Sequence, residues 1–178
     1  MDRFVLITGC SGGGKSTLLG ELRARGFAVV PEPGRRLLRE ELASGGSASP
    51  WTDPTAFLHR ILAMAITDRV AAADQPGWVF FDRGVIDAAS GLEKRTGERL
   101  LAGLDAKHRY RRQVFLAPPW PEIYVQDDER RHDFAAAEAE HHRLCHDCAK
   151  LGYEVVILPK SPVAERADFV IAQLGASL

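Results

Sequence analysis

Short apolar runs alternate along the chain with longer segments in which apolar residues recur every three or four positions. Four of the runs predict buried parallel strands, because their apolar residues follow one another without the polar alternation of a half-exposed strand. A fifth run, RQVFLA at residues 112–117, is more mixed and predicts a weaker strand. The four stronger runs are FVLIT at residues 4–8, FAVVP at 27–31, WVFFD at 78–82 and YEVVIL at 153–158.

The segments with three- and four-residue periodicity predict amphipathic helices. Leu18 and Leu22 share one face of the first helix, and Gly26 follows it in the position of a C-cap. The longest helix has two candidate N-caps, Asp53 and Thr55. The predicted helices cover residues 15–25, 34–43, 53–74, 84–95, 97–108, 133–150 and 161–174.

The alternation of strands and helices predicts an α/β fold, in which a parallel sheet is covered by helices on both faces and joined by right-handed crossovers. The 178 residues contain no internal repeat and no long linker, so we expect one domain over residues 1–178. Two stretches predict mobile loops. Residues 44–50 are small and polar, and residues 117–132 are rich in proline and charge.

The first predicted strand leads into GCSGGGKS, residues 9–16, which fits the pattern G-x-x-x-x-G-K-[ST] at every fixed position. Glycines allow backbone N–H groups to surround a polyphosphate, and the following helix adds the partial positive charge of its N-terminus. We expect Lys15 to reach the β- and γ-phosphates and Ser16 to bind Mg²⁺ through its hydroxyl. The alternative is a glycine-rich turn without a ligand, but the pattern and its strand–helix context favour the phosphate.

Two acidic residues lie at the carboxyl ends of the second and third predicted strands, at the sheet edge where open α/β sheets bind ligands. Glu32 follows the second strand, and Asp82 is the last residue of the third. Asp82 is suited to hold the water shell of Mg²⁺ or to take a proton from a hydroxyl, and Glu32 is suited to bind or deprotonate a substrate hydroxyl. Arg83 could bind a phosphate or substrate oxygen, and Asp87 could point into the same cleft. The alternatives are a helix N-cap for Asp82 and a solvated first-turn acid for Asp87. Which of Asp82 and Glu32 is the base stays open.

Two pairs of neighbouring arginines are further candidates. Arg35 and Arg36 open a predicted helix, where positive charge opposes the helix dipole, so a bound anion would compensate them. The alternative is a pair of ordinary surface arginines. Arg130 and Arg131 lie in a charged segment before a long helix, and a lid arginine there would stabilise charge during phosphoryl transfer. The alternative for them is a salt network with the acids at 127–129.

Histidines and cysteines cluster in AEHHRLCHDCAK, where Cys145 and Cys148 have CxxC spacing. A structural zinc site would need a second ligand pair at similar spacing, which the sequence lacks. On a helix, the cysteines join the apolar stripe of Ala137 and Leu144, which favours their packing in the core.

The overall composition restricts the classes of function. The formal net charge is −1, so no global excess of charge points to nucleic acid or an anionic membrane surface. No apolar run approaches the roughly 20 residues that span a bilayer, and the N-terminus does not resemble a signal peptide. Three cysteines are too few for a disulfide framework, so we expect a reducing cytoplasm.

Several of these motifs together resemble P-loop kinases of the nucleoside and nucleotide type. The segments are GCSGGGKST, EPGRR after the second strand, FFDRG followed by Asp87, and DDER in the charged loop. The EP after the second strand and the DR at the end of the third are similar to the thymidylate kinase pattern. The same acid–arginine pair at the third strand, followed by an aspartate, is similar to the pattern of deoxynucleoside kinases. The segments LAPPWPEIYVQDDERRHDF and LGYEVVILPKSPVAERADFV resemble a family of bacterial P-loop ATPases or kinases with an AAA-type label, related to the ribosylnicotinamide kinase domain. The resemblance covers nearly the whole chain.

The resemblance implies a three-layer α/β/α P-loop fold whose five parallel strands have the order 2-3-1-4-5, with ATP, Mg²⁺ and a lid at about 118–133. It implies substrate contact by Glu32, Arg83 and Asp87, metal binding or acid–base work by Asp82, and lid charge from Arg130 and Arg131. In related kinases the adenine lies between a lid arginine and the loop after the last strand. In this chain the resemblance implies that this loop is at 159–163. The implied phosphate-binding residues are Gly12, Gly13, Gly14, Lys15, Ser16 and Thr17, beside Gly9 and Ser11 of the motif.

The sequence therefore predicts a kinase that transfers phosphate from Mg-ATP to a small, nucleoside- or nucleotide-like molecule, acting as a monomer or homodimer. The alternative is a nucleotide-dependent regulatory ATPase that signals to a partner. The chain lacks an N-K-x-D guanine signature, which argues against the common GTPase type. The acceptor, and the choice between ATP and GTP, stay open.

Overall fold

Five parallel strands form one sheet in the order β2-β3-β1-β4-β5. The computed structural model describes residues 3–44, 51–124 and 134–175. The observed order confirms the predicted one, 2-3-1-4-5. The strands are β1, Phe4–Gly9; β2, Ala28–Val30; β3, Val79–Asp82; β4, Gln113–Ala117; and β5, Glu154–Ile157.

The helices follow the predicted segments closely, with one boundary wrong. Asp53 caps the third helix, since its side chain accepts a hydrogen bond from the Ala56 N–H at 2.9 Å. The helix predicted to begin at Gly97 begins at Leu101 instead, because Gly97 ends the preceding helix in a left-handed conformation with φ of 78°. The helices are α1, Lys15–Ala24; α2, Pro33–Ser44; α3, Pro54–Ala71; α4, Val85–Thr96; α5, Leu101–His108; α6, Phe134–Lys150; and α7, Val163–Leu174. Short 3₁₀ turns lie at Ala72–Asp74 and Pro121–Ile123.

Apolar side chains are buried on both faces of the sheet, as the three-layer prediction requires. Leu6 and Phe81 pack on one face, against residues of α3, α4, α5 and α6. Ile7 and Phe80 pack on the opposite face, against α1 and α7. Neighbouring strand residues thus point in opposite directions, and both directions are apolar, which explains the unbroken apolar runs in the sequence.

The two edge strands differ from the prediction of full burial. Each residue of β2 is half-buried, and in β5 Glu154 and Ile157 are exposed. Each of these strands has a sheet neighbour on one side only. The apolar runs there predicted the strands correctly, but not their positions at the edges.

The cysteines of α6 pack in the core as predicted. Cys148 is fully buried in the cluster around β1 and β3, and Cys145 packs against that cluster. Within residues 3–44, 51–124 and 134–175, no group of histidine, cysteine and acidic side chains could hold a metal ion by itself. None of the helices in these ranges is both long and apolar enough to cross a membrane.

The sheet brings the carboxyl ends of three neighbouring strands to one place. Ile7 in β1 lies beside Asp82 in β3, and the backbone N–H of Arg83 donates to the Ile7 carbonyl at 3.0 Å. Strand β2 runs parallel on the other side of β3 and leads directly to Glu32. The loop after β1 therefore faces the acids that follow β2 and β3.

Replacement of Phe81 by alanine should lower the free energy of unfolding by about 3–5 kcal/mol. Phe81 is 1% exposed, and its ring makes edge contacts with Phe4 and Tyr110 at centroid distances of 5.2 and 5.3 Å. Val70→Ala is the control, because Val70 is 64% exposed and should change stability by less than about 0.5 kcal/mol. Urea denaturation measures both, and similar losses in the two variants would contradict this description of the core.

Candidate functional site

The loop between β1 and α1 requires glycine for steric reasons. Gly12 and Gly14 have φ values of 81° and 75°, in the left-handed region that side chains disfavour. A Cβ atom at Gly12 would lie 2.4 Å from the ring of Tyr124, and one at Gly14 would lie 2.7 Å from a guanidinium nitrogen of Arg166. Side chains from other parts of the chain thus pack closely against the loop, and Gly14 is the N-cap of α1.

Lys15 extends back over this loop. Its ammonium group donates to the carbonyl oxygens of Gly9 at 3.2 Å and Cys10 at 2.6 Å, and the residue is buried. Burial lowers the pKa of Lys15, and the positive charge of Arg83 lowers it further. The lysine is therefore held inside the loop with its charge beside the cleft.

Ser16 and Asp82 form a pair at the end of β3. The Ser16 hydroxyl donates to Asp82 Oδ2 at 3.1 Å. Asp82 is 4% exposed, and its Oδ1 atom has no hydrogen-bond partner among the described residues. Burial raises the pKa of Asp82, and the negative charge of Glu32 adds to the increase, while Lys15 opposes it. A hydroxyl oxygen beside an unsatisfied carboxylate oxygen fits Mg²⁺, which binds through oxygen ligands and water.

Arg83 joins the segments around the site. It has a positive φ of 61°, which is unusual for a residue other than glycine, and it projects its guanidinium towards three carboxylates. Its nitrogens lie 3.5 Å from Glu32, 3.2 Å from Asp87, and 2.9 and 3.1 Å from the two oxygens of Glu140. Burial alone would lower the pKa of Arg83, but the charges of Glu140, Glu32 and Asp87 together raise it well above its ordinary value. This arginine is permanently charged and ion-paired.

The two acids behind Arg83 connect it to the rest of the fold. Glu140 also accepts a hydrogen bond from the Ser11 N–H at 3.0 Å. Burial would raise the pKa of Glu140, but Arg83 outweighs it and lowers the pKa to about 2. Asp87 accepts from the Thr8 hydroxyl and from the Gly84 N–H, and burial raises its pKa despite the nearby Arg83.

A cleft of about 370 Å³ lies over the glycine loop and extends to the acid after β2. A smaller cleft of about 190 Å³ adjoins it over α1 and α2, and the two share Ser16, Glu32 and Arg35. Asp82 lines the smaller cleft. The larger cleft is lined by Ser11, Gly12, Gly14, Lys15, Ser16, Thr17, Glu32, Arg35, Arg83, Ile123 and Arg166.

Most of the residues predicted from the sequence come together, but a few do not. Arg36 lines only the smaller cleft and pairs with Asp68 of α3 at 2.7 Å. Asp87 lines neither cleft, since it lies behind Arg83. Arg130 and Arg131 lie outside the described residues, and the segment predicted as a lid is described only as far as Tyr124. The functional roles of all these residues stay predictions.

The sequence reasoning missed Glu140 and Arg166. Arg166 is 5% exposed, donates to the Gly14 carbonyl at 3.1 Å and lies over the Trp120 ring at 5.4 Å. Both residues occupy positions on an apolar helix stripe. Glu140 is three residues after the buried Ala137, and Arg166 is four residues before the buried Val170. A charged residue on an otherwise apolar stripe was the signal that could have identified them.

The sheet order and the glycine-rich motif between its first strand and first helix define a P-loop protein. The chain belongs to the AAA domain family, whose profile matches residues 4–166. A search of curated protein sequences finds no match.

Several solved structures, among them two kinases, share the fold. The NadR protein in complex with NR superposes with a TM-score of 0.71 at 18% identity, covering 98% of this chain and 51% of that one, so the chain spans about half its length. Deoxyadenosine kinase from M. mycoides superposes with a TM-score of 0.66 at 12% identity, and the match covers 97% of this chain and 99% of that one. Thymidylate kinase from Ehrlichia chaffeensis superposes with a TM-score of 0.64 at 18% identity, and the match covers 97% of this chain and 98% of that one. These similarities confirm the predicted three-layer α/β/α fold.

Replacement of Asp82 by asparagine should stabilise the protein at pH 7 in the presence of a chelator. Because folding raises the pKa of Asp82, its ionisation destabilises the folded state above the unfolded pKa of about 3.9. This penalty is complete once the pH exceeds the raised folded pKa. The variant should therefore have a higher Tm at pH 7, by about 2–4 °C for each kcal/mol gained, and the gain should shrink as the pH falls towards 4.

Thermal unfolding across this pH range measures the effect. Asp74→Asn is the control, because Asp74 is exposed. An Asp82→Asn variant with an unchanged or lower Tm at pH 7 would contradict the costly burial of this carboxylate.

Proposed function

We propose that the protein is a kinase that transfers the terminal phosphoryl group of Mg-ATP to a hydroxyl group of a small, nucleoside-like acceptor. The observation that carries the proposal is the shared cleft, since the glycine loop and Lys15 line the same space as Glu32 and Arg83. A phosphate bound in the loop would thus face an acid suited to accept a proton. The name of one fold neighbour, deoxyadenosine kinase, supports an acceptor of this class.

The donor side would use the loop and the Ser16–Asp82 pair. The amides at the start of α1 would bind the phosphates, and Lys15 would neutralise their charge. Mg²⁺ bound at Ser16 and Asp82 would neutralise charge on the β- and γ-phosphate oxygens. The packing of Gly12 against Tyr124 and of Gly14 against Arg166 would keep the loop in a fixed shape, so that the reacting groups are positioned in advance.

The acceptor side would use Glu32 as the base. Glu32 lines both clefts, and its carboxylate is oriented by Arg35 at 3.2 Å and by Arg83 at 3.5 Å. Asp82 is more deeply buried and is already bonded to Ser16, which suits the metal site better than proton transfer. Glu32 would therefore accept the hydroxyl proton, and Asp82 would hold the metal.

Addition of the correct acceptor should increase ATP consumption strongly. The experiment is an assay of ADP formation with Mg-ATP and a panel of ribonucleosides, deoxyribonucleosides, their 5′-monophosphates and ribosylnicotinamide. Lys15→Ala should abolish turnover while the folded state is kept, as judged by circular dichroism.

A panel in which no compound alters ADP production would contradict the kinase proposal. A nucleotide-dependent interaction with another protein, found in the same preparation, would then favour a regulatory ATPase. Mg-ATP that gives no heat in calorimetry would contradict both functions.

Replacement of Glu32 by glutamine should lower kcat by about 100-fold or more, because a positioned general base typically contributes 10²–10⁴-fold. The affinity for Mg-ATP should change by less than about threefold, since the variant keeps its size and leaves the glycine loop untouched. Calorimetry and initial rates measure the two quantities separately. Glu40→Gln, an exposed change on α2, the helix that follows Glu32, is the control. Equal losses of transfer and of ATP binding would show that Glu32 is not on the acceptor side.

A further inference from the structure

Three arginines on the acceptor side are already bound to carboxylates. Arg83 has three such partners, Glu32, Asp87 and Glu140. Arg35 lies 3.2 Å from Glu32, and Arg36 lies 2.7 Å from Asp68. An anionic acceptor would have to displace one of these carboxylates to gain a cation.

The charge balance around Arg83 is negative. Two guanidiniums, those of Arg83 and Arg35, face three carboxylates there, and Asp82 and Lys15 add one charge of each sign nearby. A phosphate monoester brings about −1.5 to −2 charges at pH 7. In a partly buried cleft its repulsion by these acids is weakly screened, and a displaced Glu140 would leave its charge buried without compensation.

Two further arginines line the smaller cleft, Arg23 and Arg39. Both are exposed to solvent, where a single charge contributes little to the affinity for an ion. A neutral hydroxyl group needs no cation in the cleft, because Glu32 can accept its hydrogen bond directly.

From these contacts we infer that the phosphoryl acceptor carries no phosphate group, and that Glu140 is a positioning residue that sets this preference by acting through Arg83. The inference rests on the proposed kinase function and narrows its acceptor class. Glu140 reaches Arg83 from α6, 57 residues along the chain, with a bidentate contact at 2.9 and 3.1 Å. It keeps the guanidinium from binding an acceptor phosphate.

Glutamine at position 140 would remove the charge with little change of shape. One oxygen of Glu140, Oε2, accepts from both the Ser11 N–H and Arg83. The amide oxygen of glutamine could take over both of these bonds. The other oxygen, which accepts from Arg83 at 2.9 Å, would be replaced by an NH₂ group that cannot accept. The Nη1 nitrogen of Arg83 would still pair with Asp87 at 3.2 Å, but the N–H that it had donated to Glu140 would be available to a phosphate.

The test compares nucleosides with their 3′- and 5′-monophosphates, which keep a free 5′- and a free 3′-hydroxyl respectively, in the ADP-formation assay. For the wild type we expect nucleosides to give kcat/KM values at least 100-fold above those of the monophosphates. Glu140→Gln should raise kcat/KM for monophosphates relative to nucleosides at least tenfold, through a lower KM for the monophosphate. Glu140→Asp, which keeps the charge, should keep the wild-type preference, and Glu138→Gln, exposed on the same helix, is the control.

A binding measurement gives a readout that does not depend on turnover. The probe is inorganic phosphate, titrated into protein saturated with Mg²⁺ and a non-hydrolysable ATP analogue so that the glycine loop is occupied. Glu140→Gln should bind phosphate at least tenfold more tightly than the wild type and the Glu138→Gln control.

The possible failures are distinguishable. Wild-type turnover with monophosphates in preference to nucleosides would overturn the inference while supporting the kinase function. Absence of turnover with every compound would contradict the kinase function, and the phosphate titration would then decide the role of Glu140. Equal phosphate binding by the wild type and Glu140→Gln would show that Glu140 is merely structural. An equal loss of kcat/KM for nucleosides and monophosphates in Glu140→Gln would show the same.

Discussion

The ion pairs of Arg83 are the interaction on which the arrangement of the site depends. A single half-buried guanidinium connects the acid after β2, helix α4 and helix α6, and through Glu140 it also reaches the backbone of the glycine loop. Removing one partner from a buried ion pair typically costs about 3–5 kcal/mol, because the remaining charge is left uncompensated. The same contacts can offset the strain of a positive φ at Arg83, since the structure around such a residue must hold it in place.

The elements of the fold that depend on local patterns could be predicted from the sequence. The apolar runs identified all five strands, and the glycine motif with its following helix fixed the position of the phosphate loop. The boundary between α4 and α5 was misplaced, because Gly97 was read as the first residue of a helix although it closes the previous one. The exposure of β5 could not be predicted, since a strand at the edge of a sheet and a strand inside it can have the same apolar sequence.

The candidate site was predictable where its residues lie at or just after the ends of strands, as Asp82 and Glu32 do. It was not predictable where the partner lies far away in the chain. Arg83 and Glu140 are separated by 57 residues, and Gly14 and Arg166 by 152. No local pattern specifies such pairs. Arg83 lines the larger cleft, so its predicted contact with a substrate stays a prediction, but its pairing with three carboxylates could not be foreseen.

The glycine loop contains the thiol of Cys10. The environment of this thiol has a consequence for the handling of the protein. Cys10 is completely buried between Gly9 and Ser11, with its sulfur directed towards the Ala117 carbonyl at 3.8 Å. Burial raises the pKa of this thiol, although Lys15 opposes the effect. Oxidants and alkylating agents react with exposed thiolates, so Cys10 should be inert to both while the protein is folded. Loss of activity under oxidative stress would then have to originate elsewhere in the chain.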